Sequence, residues 1–114
     1  MSSPVSRDAR RQPRATLELP VVVSHPANRV SGGIRFERAD VSTGGAFLRA
    51  DLFFEVGERL TLQFQLPQGG PAVRTAGRVS RASRGHAREV PGMGVEFVDL
   101  RAEDRAAIEE RLRR

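Results

Sequence analysis

The sequence has 114 residues, a formal net charge of +5 and no cysteine, so we expect one domain without disulfides, thiolate metal sites or cysteine nucleophiles. All 19 Lys-or-Arg positions are arginine, which excludes a Walker-type phosphate loop and Schiff-base chemistry, since both need lysine. The positive charge favours anionic partners, and arginine suits phosphate and the O6/N7 edge of guanine because it binds them through two points.

The chain begins with a basic segment that is poor in apolar residues. Residues 1–12 contain serine, proline and charged side chains, and this composition predicts a flexible basic N-terminal arm. The arginines of this region are Arg7, Arg10, Arg11 and Arg14, against a single acidic residue, Asp8. Residues 13–114 are predicted to form one β-barrel domain with a C-terminal helix.

The first strands follow from period-two alternation. Leu17, Leu19, Val21 and Val23 fall on one face from Thr16 onward, which predicts a half-buried strand. Pro20 removes a ladder donor and therefore predicts an edge position or a bulge. A second strand places Ile34 and Phe36 on one face, with Arg35 and Glu37 on the other. The segment from Asp40 to Gly45 is expected to break this strand, and Ala46-Phe47-Leu48 resumes it.

The second half of the chain predicts a hairpin and a last strand. Leu60, Leu62, Phe64 and Leu66 alternate with polar residues over Arg59–Leu66, and Pro67-Gln68-Gly69-Gly70 predicts the hairpin loop. Ala72–Ser83 returns as a longer strand in which Gly77 predicts a bend or bulge. Arg84–Pro91 reads as a polar loop. The last strand contains Met93, Val95 and Phe97.

The C-terminal segment predicts a short amphipathic helix over Ala102–Arg113. Ile108 and Leu112 lie four residues apart, and the segment has no glycine or proline. The helix lacks a strong capping residue at Leu100-Arg101-Ala102, so its capping is either weak or provided by Asp99. The elements together predict an all-β fold, a six-stranded antiparallel barrel whose open end the helix covers.

Two short motifs carry the chemistry. The first is R-x-x-x-R at Arg10 and Arg14, and the second is D-x-S-x-x-G at Asp40, Ser42 and Gly45. Each motif alone is weak, because arginine is abundant here and Asp-x-Ser before glycine is an ordinary turn composition. Both motifs occur in this order, and a third segment, Gly92-Met93-Gly94-Val95-Glu96-Phe97, follows them before the helix. With this arrangement the chain resembles the PilZ domain family from about residue 10 to residue 113.

The resemblance implies a PilZ-like split barrel that acts as a bacterial receptor for cyclic di-GMP, with no cofactor and no catalytic or metal site. The implied ligand-binding residues are Arg10, Arg14, Asp40, Ser42 and Gly45, with Arg11 and Gly44 as further candidates. The arginines would pair with phosphate or guanine, and Asp40 would accept hydrogen bonds from guanine N1 and N2. Ser42 would hold a phosphate, a base edge or the turn itself, and the glycines would allow unusual backbone angles and close ligand approach.

Other chemical sites have little support in the sequence. His25 and His86 are the only histidines, and neither has neighbours at metal-ligand spacing, so both are expected to face solvent at loops or strand ends. A Ser42/His25/Asp40 triad is disfavoured because Asp40 and Ser42 are too close along the chain to flank a histidine. The phenylalanines are expected mainly in the core, with one of the Phe53-Phe54 pair as an exposed candidate: Phe36, Phe47, Phe53, Phe54, Phe64 and Phe97.

The leading hypothesis is a cytoplasmic cyclic di-GMP receptor whose arm closes over the ligand. The closed arm and the ligand would create a new surface for a protein partner. That partner would belong to a motility, pilus, secretion, polysaccharide or transcription system. No apolar stretch approaches the roughly 18 residues of a membrane span, and no apolar core follows the basic N-terminus. The first alternative is an interaction adaptor of the same fold that does not bind the nucleotide. The second, a general nucleic-acid binder, lacks the interleaved aromatic side chains that stacking requires.

Overall fold

The computed structural model describes residues 15–25, 33–50, 54–85 and 90–113. These residues form, in chain order, β1 (Leu17–Ser24), β2 (Ile34–Val41), β3 (Gly45–Leu48), β4 (Arg59–Gln65), β5 (Ala72–Ser83), β6 (Gly92–Val98) and the helix α1 (Ala102–Leu112). The strands close into an antiparallel barrel in the order β1-β2-β3-β6-β5-β4. The predicted fold class is therefore confirmed, whereas the predicted arm at residues 1–12 lies outside the described residues.

Pro20 lies opposite a bulge in β2, so of the two predicted alternatives the structure supports the bulge. Leu19 pairs with Ala39 while Val21 pairs with Phe36, so β2 holds one more residue than β1 across this interval. The extra residue leaves β2 with two consecutive exposed positions and then returns Ala39 to the core. A proline fits here because a bulge leaves part of the ladder unpaired, so the missing N–H costs little.

Strand β2 continues through Asp40, where the sequence predicted a break. Val41 is fully buried and is paired with Leu17 on one side and Ala46 on the other. Burial of Val41 between two neighbouring strands keeps the segment extended, so tertiary pairing overrides the turn-forming tendency of Asp40. The turn itself begins only at Ser42.

The irregularity predicted at Gly77 lies elsewhere in β5. Gly77 is paired regularly with Leu60 and Phe97, and the register shifts between Val79 and Arg81 instead. A Cβ at Gly77 would lie 2.6 Å from side-chain atoms of both Leu62 and Val95. Gly77 therefore serves close packing inside the barrel and not a change of strand direction.

The helix α1 closes the end of the barrel at which β2 turns into β3 and β4 turns into β5. Ile108 and Leu112 belong to the hydrophobic core, as their spacing predicted. At this end Arg105 Nη1 donates to the Thr43 carbonyl at 3.2 Å, and Arg111 Nε donates to the Pro67 carbonyl at 3.2 Å. The N-cap residue is Arg101, which makes no side-chain capping bond, so the weakly capped alternative is correct and Asp99 is not the cap.

The barrel wall is not paired equally on all sides. The ladder between β1 and β4 covers only Val22–Ser24 against Thr61–Gln63, whereas β4 and β5 are paired along the whole of β4. Among the described residues, no helix is long and apolar enough to cross a membrane.

Candidate functional site

The segment after β2 forms a tight turn that Ser42 holds together. The Ser42 N–H and hydroxyl both donate to the Gly45 carbonyl, at 2.8 and 3.2 Å, and Ser42 Oγ accepts from the Gly44 N–H at 3.2 Å. The Phe97 N–H donates to the Gly44 carbonyl at 2.9 Å and joins the turn to β6. Of the three roles considered for Ser42, the structure supports its role in holding the turn.

Neither glycine of the turn has a left-handed backbone conformation, so the prediction of unusual backbone angles is wrong, whereas close ligand approach stays a prediction. A Cβ on Gly45 would lie 2.2 Å from the Val95 carbonyl oxygen, so Gly45 is required by the close approach of β3 to β6. A Cβ on Gly44 would meet nothing within 4 Å. Gly45 therefore fixes the position of the turn on the barrel, and Gly44 leaves an open surface beside it.

Asp40 projects from the outer face of β2, where Arg49 binds its carboxylate through two points. Arg49 Nε donates to Oδ2 at 3.0 Å, and Arg49 Nη2 donates to Oδ1 and Oδ2 at 3.1 and 2.9 Å. Glu18, the β1 partner of Asp40, lies 3.8 Å from Arg49 Nη1 and accepts from Arg38 Nε at 3.1 Å. The carboxylate is thus oriented by a partner just beyond β3 and stays partly exposed, at 19%.

A row of paired positions runs from Asp40 across the outside of the barrel. Asp40 is paired with Phe47 of β3, Phe47 with Gly94 of β6, and Gly94 with Arg81 of β5. Gly94 has no side chain, and a Cβ there would lie 3.0 Å from Arg81 Cγ. Arg81 can therefore extend over this position, and its guanidinium carbon lies 5.6 Å from the centre of the Phe47 ring.

This row forms the floor of a surface groove of about 300 Å³. The groove is lined by Asp40, Phe47, Arg49, Arg81, Ser83 and Val90. It combines one carboxylate, two guanidinium groups, an aromatic ring and the exposed side chain of Val90. Such a surface suits a planar, polar, anionic ligand, because it offers hydrogen-bond acceptors, positive charge and flat stacking faces together.

Arg49 and Arg81 were not among the residues predicted for the site, and Phe47 was predicted mainly in the core. The structure corrects the prediction for Phe47, which lies on the outer face of β3. Alternation in β3 and β5 was the available signal, since it placed Phe47 between the buried Ala46 and Leu48. The strand partners that bring these three residues to Asp40 are set by the closed barrel, and alternation along one strand does not give them.

The predicted arginines Arg10, Arg11 and Arg14 lie outside the described residues. The described chain nevertheless begins beside the site, because Leu17 is paired with Val41 next to the turn. Arg14 precedes Leu17 by three residues, so covalent geometry keeps its Cα within about 11 Å of the Leu17 Cα.

His25 does not face solvent as predicted, although it does lie at the end of β1. Its Nε2 atom is 2.7 Å from Glu58 Oε1, and its ring stacks on Phe54 with a centroid distance of 5.5 Å. The pKa of Glu58 is lowered, first by the hydrogen bond that its carboxylate accepts from the Glu55 N–H and then by His25. His25 is thus engaged away from Asp40 and Ser42, so the disfavoured triad is not formed.

The remaining predictions on possible site residues have mixed outcomes. His86 and Phe53 lie outside the described residues. Phe36 and Phe64 are buried in the core, and Phe54 and Phe97 pack against it. Among the described residues, no group of three or more His, Asp or Glu side chains is placed to hold a metal ion.

Comparison with known proteins gives one family. The family model of the PilZ domain matches residues 8–114 of the chain, which includes both motifs and every element of the barrel. No curated protein matches the sequence at a significant level.

Proposed function

Since this chain belongs to the PilZ domain family, a family of cyclic di-GMP receptors, we propose that it binds cyclic di-GMP in the groove beside Asp40. The observation that carries the proposal is the position of Asp40: the carboxylate of the family motif stands at the edge of an open groove that also contains two arginines and an aromatic ring. The proposed role is binding and not catalysis.

Asp40 is suited to selecting guanine. Arg49 makes three of the roughly four hydrogen bonds that the two oxygens of the Asp40 carboxylate can accept, so guanine binding requires Arg49 to give up part of this contact. Guanine presents two adjacent donors, N1–H and N2–H, that a carboxylate accepts side by side. Guanine would therefore exchange with Arg49 at the carboxylate, and the partial exposure of this ion pair makes the exchange possible.

Positive charge in and near the groove is suited to the two phosphates. Arg49 and Arg81 line the groove, and we propose that Arg10 and Arg14 complete the site, with Arg11 assisting. Arginine pairs with phosphate through two parallel hydrogen bonds and stacks on purine faces. The limited chain length between Arg14 and Leu17 supports this assignment, because it keeps Arg14 within reach of the turn.

The signal is proposed to pass through a new surface. Ligand bound in the groove and covered by residues 1–12 would present a face that the ligand-free protein lacks, and a protein partner in the cytoplasm would recognise it. Ser42, Gly44 and Gly45 contribute by holding the turn against β6, which keeps Asp40 and the start of β3 in fixed register.

Isothermal titration calorimetry with cyclic di-GMP tests the proposal. The wild-type chain should bind, and Arg14→Ala should weaken binding by roughly tenfold to a hundredfold, since a hydrogen bond to a charged group contributes about 1.5–3 kcal/mol. Asp40→Ala should weaken binding at least as much, because it removes the acceptor proposed for both guanine N1–H and N2–H. The stoichiometry from the same titration gives the number of nucleotides bound.

Matched controls separate site effects from general charge effects. Arg59→Ala removes an exposed arginine outside the groove, and Glu37→Ala removes an exposed carboxylate of β2 that is paired with Arg35. Both controls should bind like the wild type. Wild-type protein that ignores cyclic di-GMP would refute the receptor assignment, and controls that fail like the site variants would refute the assigned site.

A further inference from the structure

A second groove lies on the side of the barrel opposite to β3 and β6. In the circular strand order, β1 and β4 stand opposite β3 and β6. The groove has a volume of about 370 Å³ and lies over the junction of β1 and β4. Its apolar floor includes Pro20, Val22, Phe64 and Ala72.

The groove exists because β1 and β4 are paired only at one end. Their ladder ends at the pair Val22 and Gln63, although β4 continues to Gln65 and β1 reaches back to Leu17. Beyond this last pair, β1 and β4 are no longer paired, and the groove lies over the unpaired part. The gap exposes apolar surface that a continuous ladder would cover.

The two rims of the groove are basic. Arg35, Val22, Gln63 and Arg74 occupy successive paired positions on β2, β1, β4 and β5, so an arginine stands on each side of the gap. Arg35 is paired with the exposed Glu37 at 2.7 Å, and Arg74 makes no ion pair within the described part of the chain. None of the described residues that line the groove is acidic. Arg35 and Arg74 both line this one groove, so a single bound segment can contact both.

We propose that this groove binds an extended acidic segment of a partner protein, of the form Glu-x-Leu-x-Glu. In an extended chain, alternate side chains share a face, and the outer two of three such residues are about 13 Å apart. One carboxylate then meets Arg74, the other exchanges with the exposed Glu37 at Arg35, and the leucine side chain fills the gap between β1 and β4. The two arginines and the apolar floor of the groove together favour this occupant.

This inference does not depend on nucleotide binding. No residue lines both this groove and the groove at Asp40. This groove lies over β1 and β4, which stand opposite β3 and β6 in the barrel. The experiment is therefore done without cyclic di-GMP.

The test is a titration of the full ¹⁵N-labelled chain with the peptide acetyl-Glu-Thr-Leu-Thr-Glu-amide, followed by NMR. We expect saturable shifts of the Val22, Gln63 and Arg74 amides with a millimolar dissociation constant. Arg74→Glu, at an exposed position, should weaken binding by about fivefold to tenfold, because an attraction is replaced by a repulsion. Arg59→Glu carries the same charge change on β4 outside the groove and should change the affinity by less than about twofold.

Two control peptides complete the design: one with lysine in place of both glutamates and one with threonine in place of leucine. Both should bind more weakly than the test peptide. The proposal is overturned if the lysine peptide binds equally well, if Arg59→Glu weakens binding as much as Arg74→Glu, or if no shifts occur at millimolar peptide. Shifts of the same amides that depend on protein concentration alone would assign the groove to a second copy of the chain and would also overturn it.

Discussion

Asp40 and Arg49 form a two-point ion pair between partly exposed side chains, at 19% and 31%. Exposed ion pairs contribute little to the free energy of unfolding. The two-point geometry of this pair places its contribution near the top of the range for exposed pairs, at about 1 kcal/mol. We predict a coupling energy of about that size between Asp40→Asn and Arg49→Gln in a double-mutant cycle of urea unfolding. Additive effects of the two substitutions would show that the pair contributes nothing to the free energy of unfolding.

Glu58 gives the fold a dependence on acid pH. Its pKa in the folded chain lies below the ordinary value of 4.5, because its carboxylate accepts the Glu55 N–H and contacts His25. A carboxylate with a lowered pKa makes its full contribution to stability when the pH is above its pKa in the unfolded chain. This contribution is lost as the pH falls through its pKa in the folded chain. Melting temperatures of the wild type and Glu58→Gln should therefore differ at neutral pH and converge in acid. A difference that persists unchanged into strong acid would contradict the assignment.

The turn between β2 and β3 depends on one glycine and not on its neighbour. Gly45→Ala would place a Cβ 2.2 Å from the Val95 carbonyl oxygen, so β3 and β6 would have to separate. We expect a loss of about 1–3 kcal/mol in the free energy of unfolding, the usual cost of overpacking. Gly44→Ala is the matched control, because its Cβ meets open space, and it should stay within about 0.5 kcal/mol of the wild type. Denaturant unfolding measures both variants, and equal effects would contradict the steric explanation.

The helix α1 is held to the barrel by a narrow apolar face. Ile108 is fully buried and Leu112 is 8% exposed, while the neighbouring Glu109 faces solvent. Because the helix lacks a side-chain cap, its stability depends on this packing. Ile108→Ala should cost about 2–5 kcal/mol, and Glu109→Ala should change the free energy of unfolding by less than about 0.5 kcal/mol. Denaturant unfolding measures both variants. If both resemble the wild type, the packing of the helix contributes little to the free energy of unfolding.

One hydrophobic core joins all six strands of the barrel to the helix, so the protein should unfold as a unit. Because the chain has no tryptophan or tyrosine, calorimetry and far-ultraviolet circular dichroism are the suitable probes. We expect one transition with equal calorimetric and van't Hoff enthalpies, of about 70–80 kcal/mol near 60 °C. A separate, earlier transition of helical signal would show that α1 unfolds independently of the barrel.

The fold was predictable because alternation along each strand directly reports which face is buried. The four-residue spacing of Ile108 and Leu112 gave the helix face, and the missing N–H of Pro20 gave the bulge as one of two alternatives. Alternation did not predict that β2 continues through Asp40, because this depends on pairing with β1 and β3. It also did not predict the packing role of Gly77, which depends on Leu62 and Val95. The motif indicated Asp40, Ser42 and Gly45, but the contact of Asp40 with Arg49 requires knowledge of which strands are neighbours.

The pairing of Asp40, Phe47, Gly94 and Arg81 has an evolutionary consequence. These residues are scattered along the sequence, and backbone ladders alone align them. A slip of one residue in any of these ladders would turn a groove side chain toward the interior, so an insertion within these strands has to be absorbed by a bulge, as in β2 and β5. Exchange of the outward side chains leaves the ladders untouched. Descendants of this sequence can therefore acquire new ligand preferences by point substitution on an unchanged scaffold.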